Sequence, residues 1–184
     1  MRVRRAGRAG IFAVIAATAM LLTGCGEASP STDGEDSVQE VEVAGDSGTA
    51  TFADSVYTSS LVRIEITDSQ VILLGEAGNE YGDGPVLALW YDTTNVSGQT
   101  TDPLTAWLTH FRVFQEDGDG QATELTLAMA PDARLLTTQT HPIEAGVTVS
   151  NAVAYRLQDE SATVRVVALD TGLNEVGSQD RPLG

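Results

Sequence analysis

Val62-Arg63-Ile64-Glu65-Ile66 alternates three apolar side chains with two charged ones. Successive side chains of an extended chain point to opposite faces, so this pattern predicts a strand with one face in a core and the other in water. The signal repeats downstream. Val71-Ile72-Leu73-Leu74 is a short apolar run, and Val86 to Thr93 is apolar on both faces, as a central strand would be. Trp107 to Gln115 alternates again, with Trp107, Phe111 and Val113 on one face and His110 and Arg112 on the other. Glu124 to Met129 is a weaker strand. Val147, Val149, Val153, Tyr155 and Leu157 share one face of a long strand, and Val164, Val166 and Ala168 alternate with Arg165 in the last one.

Turn residues separate these runs. Gly75 to Pro85 is a loop rich in glycine, Asn95-Val96-Ser97-Gly98 is a turn, and Glu144-Ala145-Gly146 is another. Glu116-Asp117-Gly118-Asp119-Gly120 is a hairpin signal, because Asp-Gly suits the tight turns that join antiparallel strands. Pro131 to Thr140 is a loop with a helical turn at Ala133 to Leu136. Seven to eight short strands with regular turns, and no long amphipathic helix, predict an all-β chain folded as a two-sheet immunoglobulin-like antiparallel sandwich. A small barrel is the alternative.

The two ends of the chain read differently. Arg2, Arg4, Arg5 and Arg8 precede an uncharged apolar run from Ile11 to Leu22. That run is shorter than the roughly 20 residues a spanning helix needs, and it fits the apolar core of a secretory signal peptide. It ends in Leu22-Thr23-Gly24-Cys25, which resembles the lipobox of bacterial lipoproteins. The resemblance implies cleavage after residue 24 and a diacylglyceryl thioether on Cys25. Two acyl chains give stable anchoring where one is marginal. Cys25 is the single cysteine of the chain, so a disulfide scaffold is excluded.

Residues 25–55 are rich in Gly, Ser, Thr, Asp and Glu and cannot bury enough apolar surface to offset their ordering entropy. They read as a flexible acidic linker that holds the folded part, residues 56–170, clear of the membrane. Residues 171–184 read as a polar, frayed tail.

The chain of 184 residues carries a formal charge of −16 and no lysine. Removing residues 1–24 takes away four arginines and no acidic residue, which brings the charge to −20. So acidic a surface repels phosphate backbones, which excludes nucleic acid as a partner. It also disfavours lying on anionic lipid headgroups.

A further resemblance rests on strand and turn motifs. These are Tyr91-Asp92-Thr93-Thr94-Asn95, then Phe111-Arg112-Val113-Phe114-Gln115-Glu116-Asp117-Gly118, then the Gly146 turn opening Val147-Thr148-Val149, and Ala154-Tyr155-Arg156-Leu157. Together they are similar to a domain-of-unknown-function family of immunoglobulin-like lipoprotein domains in Gram-positive bacteria, over roughly Leu61 to Leu169. The resemblance implies a fold and an extracellular setting. It brings no activity and no catalytic residues.

Candidate chemistry is sparse. The two histidines, His110 in a predicted strand and His141 before Pro142 in a loop, read as surface or edge residues. There is no Gly-x-Ser-x-Gly elbow to hold a nucleophile, so an enzyme is not expected. Asp117-Gly118-Asp119-Gly120 begins like a calcium loop, but the fifth position from Asp117 is Gln121 and the twelfth is Ala128, so the ligand pattern fails. Asp117, Asp119 and Glu124 remain weak candidates for a cation in a hairpin. No metal or other cofactor is expected. Trp90 and Trp107 lie among apolar neighbours and read as core. Tyr81 is the aromatic expected to be exposed, and the loops Glu76 to Gly84 and Ala130 to His141 are where a site is expected.

The expectation is therefore a monomeric lipoprotein on the outer face of the cell membrane. It is held there by the lipid on Cys25 and binds a protein or envelope component. The alternative is a module for a small molecule or cation.

Overall fold

The computed structural model describes residues 49–116 and 120–183. Residues 1–24, Cys25 with the lipobox positions Leu22, Thr23 and Gly24, most of the linker, and the pair Asp117 and Asp119 lie outside the described residues.

Among the described residues there are nine strands: β1 (Thr51–Ala53), β2 (Val56–Thr58), β3 (Val62–Ile72), β4 (Val86–Asn95), β5 (Phe111–Glu116), β6 (Ala122–Glu124), β7 (Thr148–Arg156), β8 (Val164–Leu169) and β9 (Glu175–Arg181). One helix, α1 (Pro103–His110), and a 3-10 turn at Ala133–Leu135 complete the set. The strands form a five-stranded sheet, β1-β2-β3-β4-β7, and a four-stranded sheet, β6-β5-β8-β9, antiparallel throughout. The expected all-β sandwich is present, and it is not a barrel.

The strand expected from Val62 to Ile66 alternates as read, with Val62, Ile64 and Ile66 buried. It continues as one strand through the Val71-Ile72 run because of a register shift between Ile66 and Asp68. A bulge of this kind exchanges the faces of everything beyond it. Val71 therefore packs on the inter-sheet core, while Ile72 joins Val86, Ala88 and Ala154 in a small cluster on the outer side of the sheet. Asp68, which unbroken alternation would send inward, lies opposite Trp90 on that outer side.

The inter-sheet core is an aromatic stack. Trp107 lies 4.4 Å from Phe111 and 4.5 Å from Tyr91, centroid to centroid. Phe52 and Tyr57 meet Phe111 edge-on at 5.4 and 5.8 Å. Trp107 is fully buried and donates its indole N–H to the Tyr155 hydroxyl at 2.7 Å, so its one polar atom is satisfied.

Helix α1 corrects the strand expected from Trp107. Asp102 caps it by accepting from the Thr105 N–H at 2.8 Å, and Pro103 supplies a pre-set φ at the first turn. It ends where Phe111 turns extended and gives its N–H to the Trp107 carbonyl. Trp107 and Phe111, four residues apart, share a face in a helix as they do in a strand, so alternation alone misassigned the segment. His110 is corrected with it. It is 3% exposed at the end of α1, not at a surface or edge.

Both expected boundaries shift as well. Thr51–Ala53, assigned by composition to the linker, is β1, joined to β2 through Asp54 and Ser55 at positive φ. The tail is not frayed between Glu175 and Arg181, because β9 pairs along β8 from Val164↔Arg181 to Leu169↔Glu175. An edge strand needs only its backbone ladder, and polar side chains on its open faces hid it from the sequence. Gly177 permits the close approach of β1, since a Cβ there would collide with the Phe52 carbonyl. The weak strand expected at Glu124 to Met129 is instead Ala122–Glu124, followed by a single bridge from Leu127 to Tyr155.

Candidate functional site

Two concavities of about 460 and 540 Å³ open on the surface, and the larger of the two lies on the outer face of the five-stranded sheet. The larger, 540 Å³, opens over Trp90. Trp90 projects from the middle of β4, half-buried, with Asp92 two residues on along the same face. Asp68 of β3 and Ser150 of β7 flank them, because the register sets Asp68 against Trp90 and Ser150 against Asp92. Cross-strand neighbours on one face stand about 5 Å apart, so these side chains form one patch. Trp90 thus corrects the expectation of core packing. Its lower edge meets the outer apolar cluster and the rest faces the concavity.

Arg134 closes one end. Asp132 caps the 3-10 turn by accepting from the Arg134 backbone N–H at 3.0 Å, and holds the guanidinium through Nε at 2.9 Å and Nη2 at 2.6 Å. This fork holds the Asp132 carboxyl at about 2, below its usual 3.8, with the Trp90 indole contributing to the same shift. The Arg134 side chain is nevertheless 88% exposed, so its remaining N–H groups face solvent. Ser150 donates to Asp92 Oδ1 at 2.6 Å, and Asp92 Oδ2 carries no bond among the described residues. Hydrogen-bond donors and acceptors therefore surround an aromatic ring.

The second concavity, 460 Å³, lies between α1 and the 125–127 segment, with Leu108, Leu127 and Tyr155 in its wall. Arg112 and Glu124 meet across it at 3.6 Å. Glu124, the described member of the weak cation trio, thus faces an arginine. A third, small cavity of 110 Å³ reaches His110 between Thr101, Thr105 and Thr109. The His110 Nδ1 is engaged by the Tyr57 hydroxyl at 2.9 Å and the Leu169 carbonyl at 3.1 Å. Burial lowers its pKa from 6.5, against the opposing pull of Leu169 and Asp170. Among the described residues no three His, Cys, Asp or Glu side chains cluster as a metal site would require.

Tyr81 is 84% exposed, as expected. The loop bearing it is held from below by Asn79, which is buried and donates to the Ile72 and Gly84 carbonyls at 3.1 and 2.9 Å. Of the two loops where a site was expected, Ala130 to His141 contributes Arg134 to the Trp90 concavity. His141 itself is exposed. Sequence reasoning missed Asp68, Asp92, Arg134 and Ser150. The Trp90-x-Asp92 spacing was the available signal, since it places both on one face of a strand.

A family model described as "Domain of unknown function (DUF5067)" matches residues 37–170. The chain belongs to this family. The DUF5067 region spans β1 through β8, and β9 lies beyond its end. No curated protein matches the chain. A solved structure of a candidate lipoprotein from Staphylococcus aureus subsp. aureus NCTC 8325 is similar in fold, with a TM-score of 0.62 at 12% identity. The match covers 73% of this chain and 92% of that one. At that identity the likeness concerns the fold alone.

Proposed function

We propose that this DUF5067 protein is an exported lipoprotein, anchored in the cell membrane through lipid on Cys25, whose sandwich binds a protein or envelope component outside the cell and catalyses no reaction. The observation that carries the reading is the N-terminal sequence: an arginine cluster, an uncharged apolar run too short to span a bilayer, and Leu22-Thr23-Gly24-Cys25. Three findings support it. The family carries no described activity. A protein of the same fold is itself a candidate lipoprotein. No helix among the described residues is long and apolar enough to cross a membrane. The immunoglobulin-like character of the sandwich and a Gram-positive source belong to the same proposal.

The binding role is supported by the concavity over Trp90, where a half-buried indole on the outer face of the five-stranded sheet is flanked by Asp68, Asp92 and Arg134.

The test is intact mass and membrane fractionation of the wild type beside Cys25→Ala. The expected wild type begins at Cys25, carries added acyl mass and sediments with membranes. The variant is expected to lose both the mass and the sedimentation. An unmodified chain in the medium would defeat the anchoring.

A further inference from the structure

We infer that the concavity over Trp90 is a binding site for an uncharged oligosaccharide. This inference rests on the proposed extracellular placement and names the ligand class within it. The first argument is chemical. A pyranose presents an apolar face of C–H groups and a rim of hydroxyls, each both donor and acceptor. The site offers the matching set: an indole that is neither buried in the inter-sheet core nor free of support, carboxylate acceptors on Asp68 and Asp92, and donors on Arg134. Amphipathic aromatics serve such interfaces, where one side is apolar and the other wet.

The second argument is preorganisation. Asp92 is steadied by Ser150 at 2.6 Å, and Arg134 by the fork from Asp132. Trp90 stands on Ala88, Ala154 and their neighbours in the outer cluster. A ligand then finds its partners already ordered, which cuts the entropic cost of binding. The volume, 540 Å³, lies within the roughly 300–1,000 Å³ of small-ligand clefts.

The third argument is exclusion. The formal charge of −16 repels polyanionic ligands. Arg134, already paired with Asp132, cannot offset the carboxylates of Asp68 and Asp92 beside it. The second concavity lacks this combination, because its exposed wall is Leu108 and Leu127 and its charges pair with each other.

The full-length protein is titrated with tetrasaccharides of glucose, N-acetylglucosamine, galactose and mannose, read by tryptophan emission and by calorimetry. At least one is expected to bind and to shift emission, since the indole of Trp90 is the one that faces solvent. Trp90→Ala is expected to abolish that binding. Asp68→Ala and Asp92→Ala remove exposed or half-exposed carboxylates, so their unfolding midpoints should stay near wild type while affinity falls about tenfold or more. These two carry the test if Trp90→Ala fails to fold. Binding of none of the four sugars, or equal affinity in both aspartate variants, overturns the site. A protein that binds no sugar yet stays acylated and crosslinks to a surface protein overturns the saccharide site and leaves the anchored binding module standing. Loss of acylation with sugar binding intact does the reverse.

Discussion

The Tyr57 hydroxyl and His110 Nδ1 lie 2.9 Å apart with their rings stacked at 4.6 Å, joining β2 to the last residue of α1 inside the core. Both groups are removed from water, and burial raises the Tyr57 pKa while it lowers that of His110.

The sign of the resulting pH dependence is fixed. A histidine whose folded pKa lies below 6.5 takes its proton in the unfolded chain first. Its contribution is intact above 6.5 and is lost as pH falls from there toward the lowered folded value. The depressed carboxylates Asp132, Asp159 and Asp170 act in a lower window, as pH drops through the range below 3.8. His110→Asn keeps a polar group near Nδ1 and cannot titrate. Denaturant midpoints at pH 7.5 and pH 5 should therefore differ less in the variant than in wild type. An unchanged difference would mean that the buried imidazole does not sense pH.

Thr93 is fully buried on the inner face of β4, and its Oγ1 has no hydrogen-bond partner. An orphaned buried hydroxyl costs roughly 1–3 kcal/mol. Thr93→Val keeps the β-branched shape and removes the orphan, so stability should rise by about 1 kcal/mol. Thermal unfolding of the variant checks this, and a lower midpoint would show that the hydroxyl is satisfied.

Gln115 behaves oppositely. It is 2% exposed on β5, and its amide makes four bonds to the backbone after β7. Nε2 donates to the Asp159 and Ala162 carbonyls at 2.6 and 3.2 Å, while Oε1 accepts from the Gln158 and Asp159 N–H groups at 2.9 and 3.2 Å. Gln115→Ala strands all four and should cost roughly 2–4 kcal/mol. Hydrogen exchange at Gln158 and Asp159 should quicken together, and unchanged exchange there would refute the assignment.

Alternation made much of the sandwich legible. Val62 to Ile66 was readable because burial there follows period two up to the bulge, and Val164 to Ala168 because Val164, Val166 and Ala168 are buried around the exposed Arg165, although Val167 is buried as well. The continuous apolar run of Val86 to Tyr91 announced a central strand, and β4 lies between β3 and β7. β9 was hidden because its order comes from a backbone ladder, and backbone groups are the same for every sequence. α1 was hidden because Asp102-Pro103 starts a helix only where the following Trp107 finds a core to enter.

The Trp90 patch was partly visible. Trp90 and Asp92 share a face by spacing alone, whereas Asp68 joins them through a bulge and Arg134 through a loop folded back from 44 residues beyond Trp90. By itself the sequence determined the alternating strands such as Val62 to Ile66, the central apolar strand from Val86, the charge and the arginine-rich, apolar start that ends in Leu22-Thr23-Gly24-Cys25, because periodicity, composition and local motifs are properties of neighbouring residues. Only the tertiary structure decided which carboxylates and which guanidinium surround Trp90, because register shifts and long-range loop packing depend on the whole chain closing around one core.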